Sequence, residues 1–195
     1  MNKFIELITY YKKKGLLETI HRIKSRYLSI TKFIIYKRDL DENYNGIELG
    51  PEYKVIIDDF NVLNELRIKR SDLPREFYID KTHAGRHFYL VFKGNEVAYI
   101  HWVLLKDDYS RFFNLKDGKT AELNYNITLP EFRGDKLMSK TINFICNDLK
   151  GKGYKTLVGA VSEGNILSHK SLRKTGFRED CKILSVFSIS KKKIV

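Results

Sequence analysis

The chain of 195 residues contains few of the residues that mark disulfide-rich or disordered proteins. Its two cysteines, Cys146 and Cys181, lie in a predicted helix and strand and lack the paired spacing of a disulfide framework or a zinc site. Prolines number only three, and no apolar run approaches the length of about 18 residues that a membrane-spanning helix needs. No signal peptide is recognisable. We therefore expect a cytoplasmic globular protein.

Acidic residues are outnumbered by basic ones, which gives a formal net charge of +12. A basic surface attracts phosphate groups, nucleic acid or anionic lipid. The excess is concentrated in residues 1–40, which contain ten lysines and arginines and only three acidic residues. Because 43% of the residues are hydrophobic, the chain can still bury a sizeable core. One domain with a basic appendage is predicted.

The N-terminal region has an apolar periodicity that predicts two amphipathic helices within residues 4–29, separated at Gly15. A short strand is predicted at Phe33–Tyr36, and a polar stretch with two glycines follows it. We assign residues 1–48 to a basic helical extension and residues 49–195 to the main domain. The apolar stripe of the extension either lies on the inner face of an anionic membrane or docks on the main domain, and its interruptions favour docking.

Beyond the extension, strand and helix patterns alternate as in a single α/β (α+β) domain. Strands are predicted at residues 53–57, 87–92, 96–105, 120–129, 154–161 and 182–190. Helices are predicted at residues 60–69, 74–81, 137–150 and 166–174. We expect a mixed sheet with helices on both faces.

Two strand-to-helix junctions carry the functional signal. In Leu129–Leu137, a Pro-x-x-Arg-Gly turn precedes a helix start, where unpaired N–H groups and the positive end of the helix dipole can hold a phosphate. The second junction follows Ser162, where Asn165 caps the next helix and Gly176-Phe177 ends it. Each junction alone is typical of an ordinary turn, and the combination and spacing of the two are what is unusual.

This combination resembles the GCN5-related N-acetyltransferase (GNAT) superfamily over about residues 53–189. The resemblance implies a mostly antiparallel sheet with two central parallel strands, here 120–129 and 154–161, that part to admit the pantetheine arm of acetyl-coenzyme A (acetyl-CoA). The residues that it assigns to cofactor binding lie at the end of the first strand, in the next loop and on the later helix: Ile127, Leu129, Phe132, Arg133, Gly134, Asp135, Lys136, Leu137, Asn165 and Ser168.

An acetyltransferase of this kind must remove a proton from its amine substrate. A primary amine has a pKa near ~10.4 and is protonated at neutral pH. Glu122 is the predicted general base, and the alternative is a surface or ion-paired carboxylate. Asn124 and Asn126 are expected on the same face of the strand as Glu122, because side chains alternate along a strand.

The chain departs from the usual pattern of the family at three positions. Many members have a tyrosine seven residues after the asparagine to protonate the departing thiolate, but this chain has Leu172 there. We expect Ser168 and His169 on the same predicted helix to substitute. The loop has Glu131 where Gln or Arg is usual and Lys136 where Gly or Ala is usual, although the Lys136 ammonium can still reach a phosphate.

Three functions remain open at this stage. The first is an acetyl-CoA-dependent N-acetyltransferase that acts by direct attack of a primary amine, carried by a small-molecule or sugar-type acceptor, and that has no specific nucleic-acid partner. The second is a weakened member of the fold that binds a membrane or nucleic acid. The third transfers a longer acyl or an aminoacyl group to a membrane-linked acceptor. No metal site is predicted, and the histidines, His101 among them, are interpreted as structural.

Overall fold

The structure is a computed structural model that describes Gly15, Glu18 and residues 30–42, 44–83, 85–186 and 189–192. The strands in this described part are β1 Ile30–Asp39, β2 Tyr53–Ile57, β3 His87–Lys93, β4 Glu96–Leu104, β5 Thr120–Thr128, β6 Thr156–Ser162, β7 Arg178–Val186 and β8 Ile189–Lys192. The α-helices are α1 Phe60–Lys69, α2 Ile79–His83, α3 Leu137–Gly151 and α4 Ile166–Arg173. Short 3₁₀ turns at Arg75–Tyr78 and Pro130–Phe132 precede α2 and α3.

All of these strands form one sheet in the order β2-β3-β4-β5-β6-β1-β7-β8. Neighbouring strands are antiparallel except β5 and β6, which are parallel. The prediction of a mixed, mostly antiparallel sheet is therefore confirmed. Among the described residues, no helix is long and apolar enough to cross a membrane.

Helices cover both faces of the sheet, as the apolar patterns predict. On one face, Leu63 of α1 is fully buried in a cluster with Phe88 of β3. On the other face, Ile142 of α3 and Leu172 of α4 are buried in a cluster with Leu157 of β6. Each such side chain contributes roughly 1.5–3 kcal/mol when it leaves water, so both layers hold the central strands in place.

Strand β1 lies inside the sheet, between β6 and β7. It pairs with β6 along residues 33–39 and with β7 along residues 30–37, and Tyr36 is completely buried. Residues 30–39, which we assigned to the extension, therefore belong to the sheet of the main domain. The predicted helices within residues 4–29 lie outside the described residues except at Gly15 and Glu18.

The C-terminal strand predicted at residues 182–190 is replaced by two strands. Strand β7 begins at Arg178. Strand β8 is antiparallel to it, and the pairing extends from Ile183 opposite Lys192 to Val186 opposite Ile189. The start of β7 was missed because its first residues are charged, a composition that gives no strand signal.

Candidate active site

Strands β5 and β6 pair with each other only over their first residues. The parallel pairing begins where Thr120 of β5 faces Thr156 of β6 and ends where Leu123 faces Gly159. Beyond this point β5 continues to Thr128 and β6 to Ser162 without further pairing between them. Backbone groups that these later residues direct into the gap have no partner on the opposing strand. The parallel strands that part are the pair that the GNAT resemblance implies.

A cavity of about 430 Å³ lies at this gap. Its lining includes residues from both faces of the sheet and from two helices: Glu122 and Asn124 of β5, Met138 of α3, and Asn165, Ser168 and Leu172 of α4. The structure thus brings together three of the predicted site residues, Glu122, Asn165 and Ser168. The lining joins an acidic group, an amide, a hydroxyl and apolar side chains in one space.

Glu122 is the one carboxylate among the described residues that line this cavity. Its side chain is 4% exposed, Oε1 accepts a 3.4 Å hydrogen bond from Asn124 Nδ2, and Oε2 has no partner among the described groups. Burial raises the pKa of Glu122 to about 7, against a smaller lowering by the Ser110 hydroxyl. A carboxylate that titrates near neutrality can accept a proton from a substrate at physiological pH.

A β-bulge in β5 corrects the expectation that Glu122 and Asn126 share a face. Val103 of β4 pairs with Leu123, but His101, two residues before it, pairs with Asn126, so β5 contains an extra residue at this point. The extra residue shifts the alternation, and Asn126 lies on the α3 side of the sheet while Glu122 lies on the other. Both remain on the cavity because it opens to both faces.

The loop before α3 presents a helix start with positive charge around it. Gly134 has a φ of 104°, and Lys136, at the N-cap of α3, has a left-handed φ of 57° and ψ of 28°. Lys136 makes no side-chain cap hydrogen bond, so the first N–H groups of α3 remain available to an anion. The side chains of Arg133 and Lys136 are exposed beside them.

Two carboxylates fix this loop to its surroundings. Asp135 accepts hydrogen bonds from the Tyr53 hydroxyl at 2.7 Å and from Lys93 Nζ at 2.8 Å, which ties the loop to β2 and β3. Glu131 lies 3.4 Å from an Arg70 guanidinium nitrogen. Glu131, which departs from the family pattern, therefore forms an ion pair with Arg70.

Several predicted cofactor residues do not line the cavity: Ile127, Leu129, Phe132, Arg133, Gly134, Asp135, Lys136 and Leu137. They end β5 or surround the start of α3, and Met138 in the first turn of α3 joins that region to the cavity. The N–H of Leu129 donates to the carbonyl of Ala98 at 2.9 Å, so this amide is committed within the sheet.

Helix α4 places one of the two predicted proton donors on the cavity. Asn165 caps α4 by accepting a 3.2 Å hydrogen bond from the Ser168 N–H, and Ser168 lines the cavity. His169 does not, because its Nδ1 is bonded to the Tyr36 hydroxyl at 2.9 Å and its Nε2 lies 3.0 Å from the Ser162 carbonyl oxygen. Of the two predicted donors, Ser168 is therefore the one that lines the cavity.

His101 is a cavity residue that the sequence interpretation treated as structural. Its imidazole is fully buried, and Nδ1 is 2.7 Å from the hydroxyl of Tyr99. Burial lowers the pKa of His101 to about 3, so the ring is neutral at physiological pH. Because a histidine two residues after a tyrosine is a common pattern, the sequence alone does not mark Tyr99 and His101 as part of a site.

The segment between β4 and β5 contributes an aromatic wall near Glu122. The rings of Phe112 and Phe33 of β1 have centroids 4.9 Å apart, and both line the cavity. The Arg111 guanidinium lies 5.1 Å from the Phe112 ring centroid and donates to the Ser185 hydroxyl. This side of the cavity therefore offers aromatic surface and a positive charge.

A larger cavity of about 630 Å³ lies between α3, the edge strand β2 and residues 48–51. It is on the side of α3 that faces β2, away from the gap between β5 and β6. Because Glu122 is not in its lining, we assign the candidate chemistry to the smaller cavity.

Solved acetyltransferases have a similar fold. A GCN5-related N-acetyltransferase from Sphaerobacter thermophilus matches with a TM-score of 0.56 at 8% sequence identity, covering 88% of this chain and 56% of that one. A GNAT-family acetyltransferase from Colwellia psychrerythraea matches with a TM-score of 0.52 at 12% identity, covering 88% and 61%. An aminoglycoside N-acetyltransferase in complex with CoA matches with a TM-score of 0.50 at 15% identity, covering 68% and 92%.

This chain spans no more than 61% of the length of the first two structures. No family profile and no curated protein matches the sequence. The structural similarity, together with the parted parallel strands, shows that the chain has the fold of the GCN5-related N-acetyltransferases. The predicted fold class is confirmed.

Proposed function

We propose that this protein is a cytoplasmic N-acetyltransferase that moves the acetyl group of acetyl-CoA to a primary amine of a small-molecule or sugar-type acceptor. The observation that carries the proposal is the cavity at the parting of β5 and β6, which contains the buried carboxylate of Glu122. A cavity of this size suits a thioester arm and a small acceptor group better than it suits the large surface of a macromolecular acceptor. The aminoglycoside acetyltransferase with the same fold supports a small amine acceptor by analogy.

The residues present fit the two ends of acetyl-CoA. The start of α3 suits the pyrophosphate, because its first N–H groups have no side-chain cap and the exposed cations Arg133 and Lys136 lie beside them in the chain. The gap between the strands suits the pantetheine arm, whose amides can bond to backbone groups that have no strand partner there. When bound, acetyl-CoA supplies the thioester carbonyl that the amine attacks.

Glu122 accepts the proton that the amine loses as the new C–N bond forms, directly or through one water molecule. The C–S bond breaks with its electron pair on sulfur, and the thiolate takes a proton from water, directly or through the Ser168 hydroxyl, which the same water reprotonates. Backbone N–H groups of β5 beyond its pairing with β6 can donate to the carbonyl oxygen as it becomes negative. A neutral Tyr99–His101 pair and the apolar Leu172 keep this part of the cavity free of competing bases.

The proposal is tested by release of CoA thiol from acetyl-CoA in the presence of a panel of primary amines. We expect turnover with at least one amine and a loss of about 10²–10⁴-fold in kcat/KM for Glu122→Gln. Since Glu122 must be deprotonated, kcat/KM of the intact protein should fall as the pH drops below about 7, and the variant should lack this limb.

A matched control is Glu163→Gln, a half-exposed acid next to β6 that does not line the cavity and should keep full activity. Acyl donors of increasing chain length in the same assay separate an acetyltransferase from an enzyme that prefers longer acyl groups. Equal activity of Glu122→Gln and the intact protein across the pH range would contradict the role of Glu122.

A further inference from the structure

His101 is a buried polar residue on the cavity that the proposed reaction does not use. Its side chain is 0% exposed, and Nε2 has no hydrogen-bond partner among the described residues. Buried polar atoms are nearly always hydrogen-bonded in folded proteins. An orphaned nitrogen on a residue that lines a substrate cavity therefore suggests that the substrate supplies the missing partner.

The contact with Tyr99 determines which nitrogen of His101 carries the hydrogen. The Tyr99 hydroxyl is buried, and the acceptor within reach among the described residues is His101 Nδ1 at 2.7 Å. If the phenol donates to Nδ1, the neutral ring must carry its hydrogen on Nε2. The ring edge that is left for a molecule in the cavity is then a hydrogen-bond donor.

The position of His101 fits the leaving sulfur. His101 lies on β4 opposite the bulge of β5, on the face that α3 and α4 cover. Leu172 of α4 borders the same cavity from that face, with an apolar side chain that cannot donate a hydrogen bond. A donor in addition to the Ser168 hydroxyl must therefore come from outside this helix.

We propose that the Nε2–H of His101 donates a hydrogen bond to the sulfur of coenzyme A and stabilises the thiolate as it leaves. This inference rests on the proposed acetyl transfer. The proton balance is unchanged, since the amine proton goes to Glu122, the C–S electron pair stays on sulfur, and His101 keeps its hydrogen. Tyr99 acts as a positioning residue that holds the tautomer and the ring.

The test is the pKa of the thiol of protein-bound CoA, followed by the ultraviolet absorbance of the thiolate as the pH is raised. His101→Met removes the donor at similar volume and should raise this pKa by about one to two units. His101→Gln keeps an N–H at similar reach and should stay close to the intact protein. Tyr99→Phe should give an intermediate increase because the ring loses its fixed tautomer.

The other titratable groups on the cavity, Glu122, Arg111 and Tyr125, are unchanged in these variants. CoA binding with the same thiol pKa in the intact protein and in His101→Met would overturn the inference and leave the proposed function standing. Absence of CoA binding by the intact protein would overturn both. If His101→Met does not fold, His101→Gln and Tyr99→Phe are compared with the intact protein instead. An unchanged thiol pKa in Tyr99→Phe would then overturn the inference.

Discussion

Glu122 combines a buried position with a proposed role in which its negative charge is needed. Desolvation disfavours the carboxylate and raises its pKa, and the hydrogen bond with Ser110 offsets this only in part. The same burial that makes Glu122 a base near neutral pH therefore makes its ionisation destabilising for the fold. This cost gives a prediction that does not depend on the substrate.

Glu122→Gln should become more stable relative to the intact protein as the pH rises. The folded pKa of about 7 lies above the reference value of 4.5, so folding favours protonated Glu122. Its contribution is fully present below pH 4.5 and is lost as the pH rises through 7, a change of about 3 kcal/mol. Urea denaturation of both proteins at pH 5 and pH 8.5 measures it, and a constant difference between them at the two values would contradict the burial of an ionisable Glu122.

Lys136 is a second residue whose conformation has a measurable cost. A non-glycine residue in the left-handed region loses roughly 1–2 kcal/mol, so Lys136→Gly should raise the free energy of unfolding by about 1 kcal/mol. Lys136→Ala keeps the strain and removes the same charge, and should not stabilise the protein. Thermal unfolding of the three proteins compares them, and equal stability of the Gly and Ala variants would show that the left-handed conformation is not maintained.

At the residue scale, the sequence singled out Glu122, Asn165 and Ser168, because a charged or capping residue beside a strand or helix end is visible in the pattern. It did not reveal the face on which Asn126 lies, since the bulge of β5 depends on pairing with β4. It also did not place His101 on the cavity, because the burial of this residue and its orphaned Nε2 are properties of the assembled fold.

At the scale of elements, α4 depends on its N-cap to place Ser168 on the cavity. Asn165 accepts a hydrogen bond from the Ser168 N–H, and no acidic residue lies in the first turn of this helix to add support. Asn165→Ala should therefore lower the free energy of unfolding by about 1 kcal/mol, whereas Asn165→Ser should retain most of the stability. Chemical denaturation distinguishes the two variants, and an equal loss of stability in both would contradict the role of the Asn165 side chain as a cap.

Helices and strands with strong periodicity were predicted well, because their patterns are local. β2 and α1 have the predicted bounds, and α3 is one residue longer than predicted. Strand β1 was recognised only as a short strand at residues 33–36, since its neighbours in the sheet are more than 100 residues away in the chain. A local pattern can show that a segment is a strand, but it does not show which strands the segment pairs with in the sheet.

At the scale of the whole molecule, β1 joins the N-terminal part of the chain to the C-terminal strands. Tyr36 is completely buried and bonded to His169, so Tyr36→Ala should cost about 3–5 kcal/mol. Lys37→Ala, at the next and exposed position, should change stability by less than about 0.5 kcal/mol. Urea midpoints of the two variants measure the difference, and a small effect of Tyr36→Ala would place β1 outside the cooperative fold.

The whole molecule is also strongly basic, so a control for general charge attraction is needed in any test of cofactor binding. Lys136 and Lys150 are exposed lysines at opposite ends of α3. A change to glutamate at either position alters the net charge equally, but only Lys136 lies at the helix start that we assign to the pyrophosphate.

Calorimetric titration of the intact protein, Lys136→Glu and Lys150→Glu with acetyl-CoA tests whether the chain binds this cofactor at the start of α3. We predict one binding site in the intact protein, at least tenfold weaker binding by Lys136→Glu, and nearly unchanged binding by Lys150→Glu. Absence of binding by the intact protein, or equal weakening by both variants, would contradict the account of this chain as an acetyl-CoA-dependent enzyme with its cofactor at the start of α3.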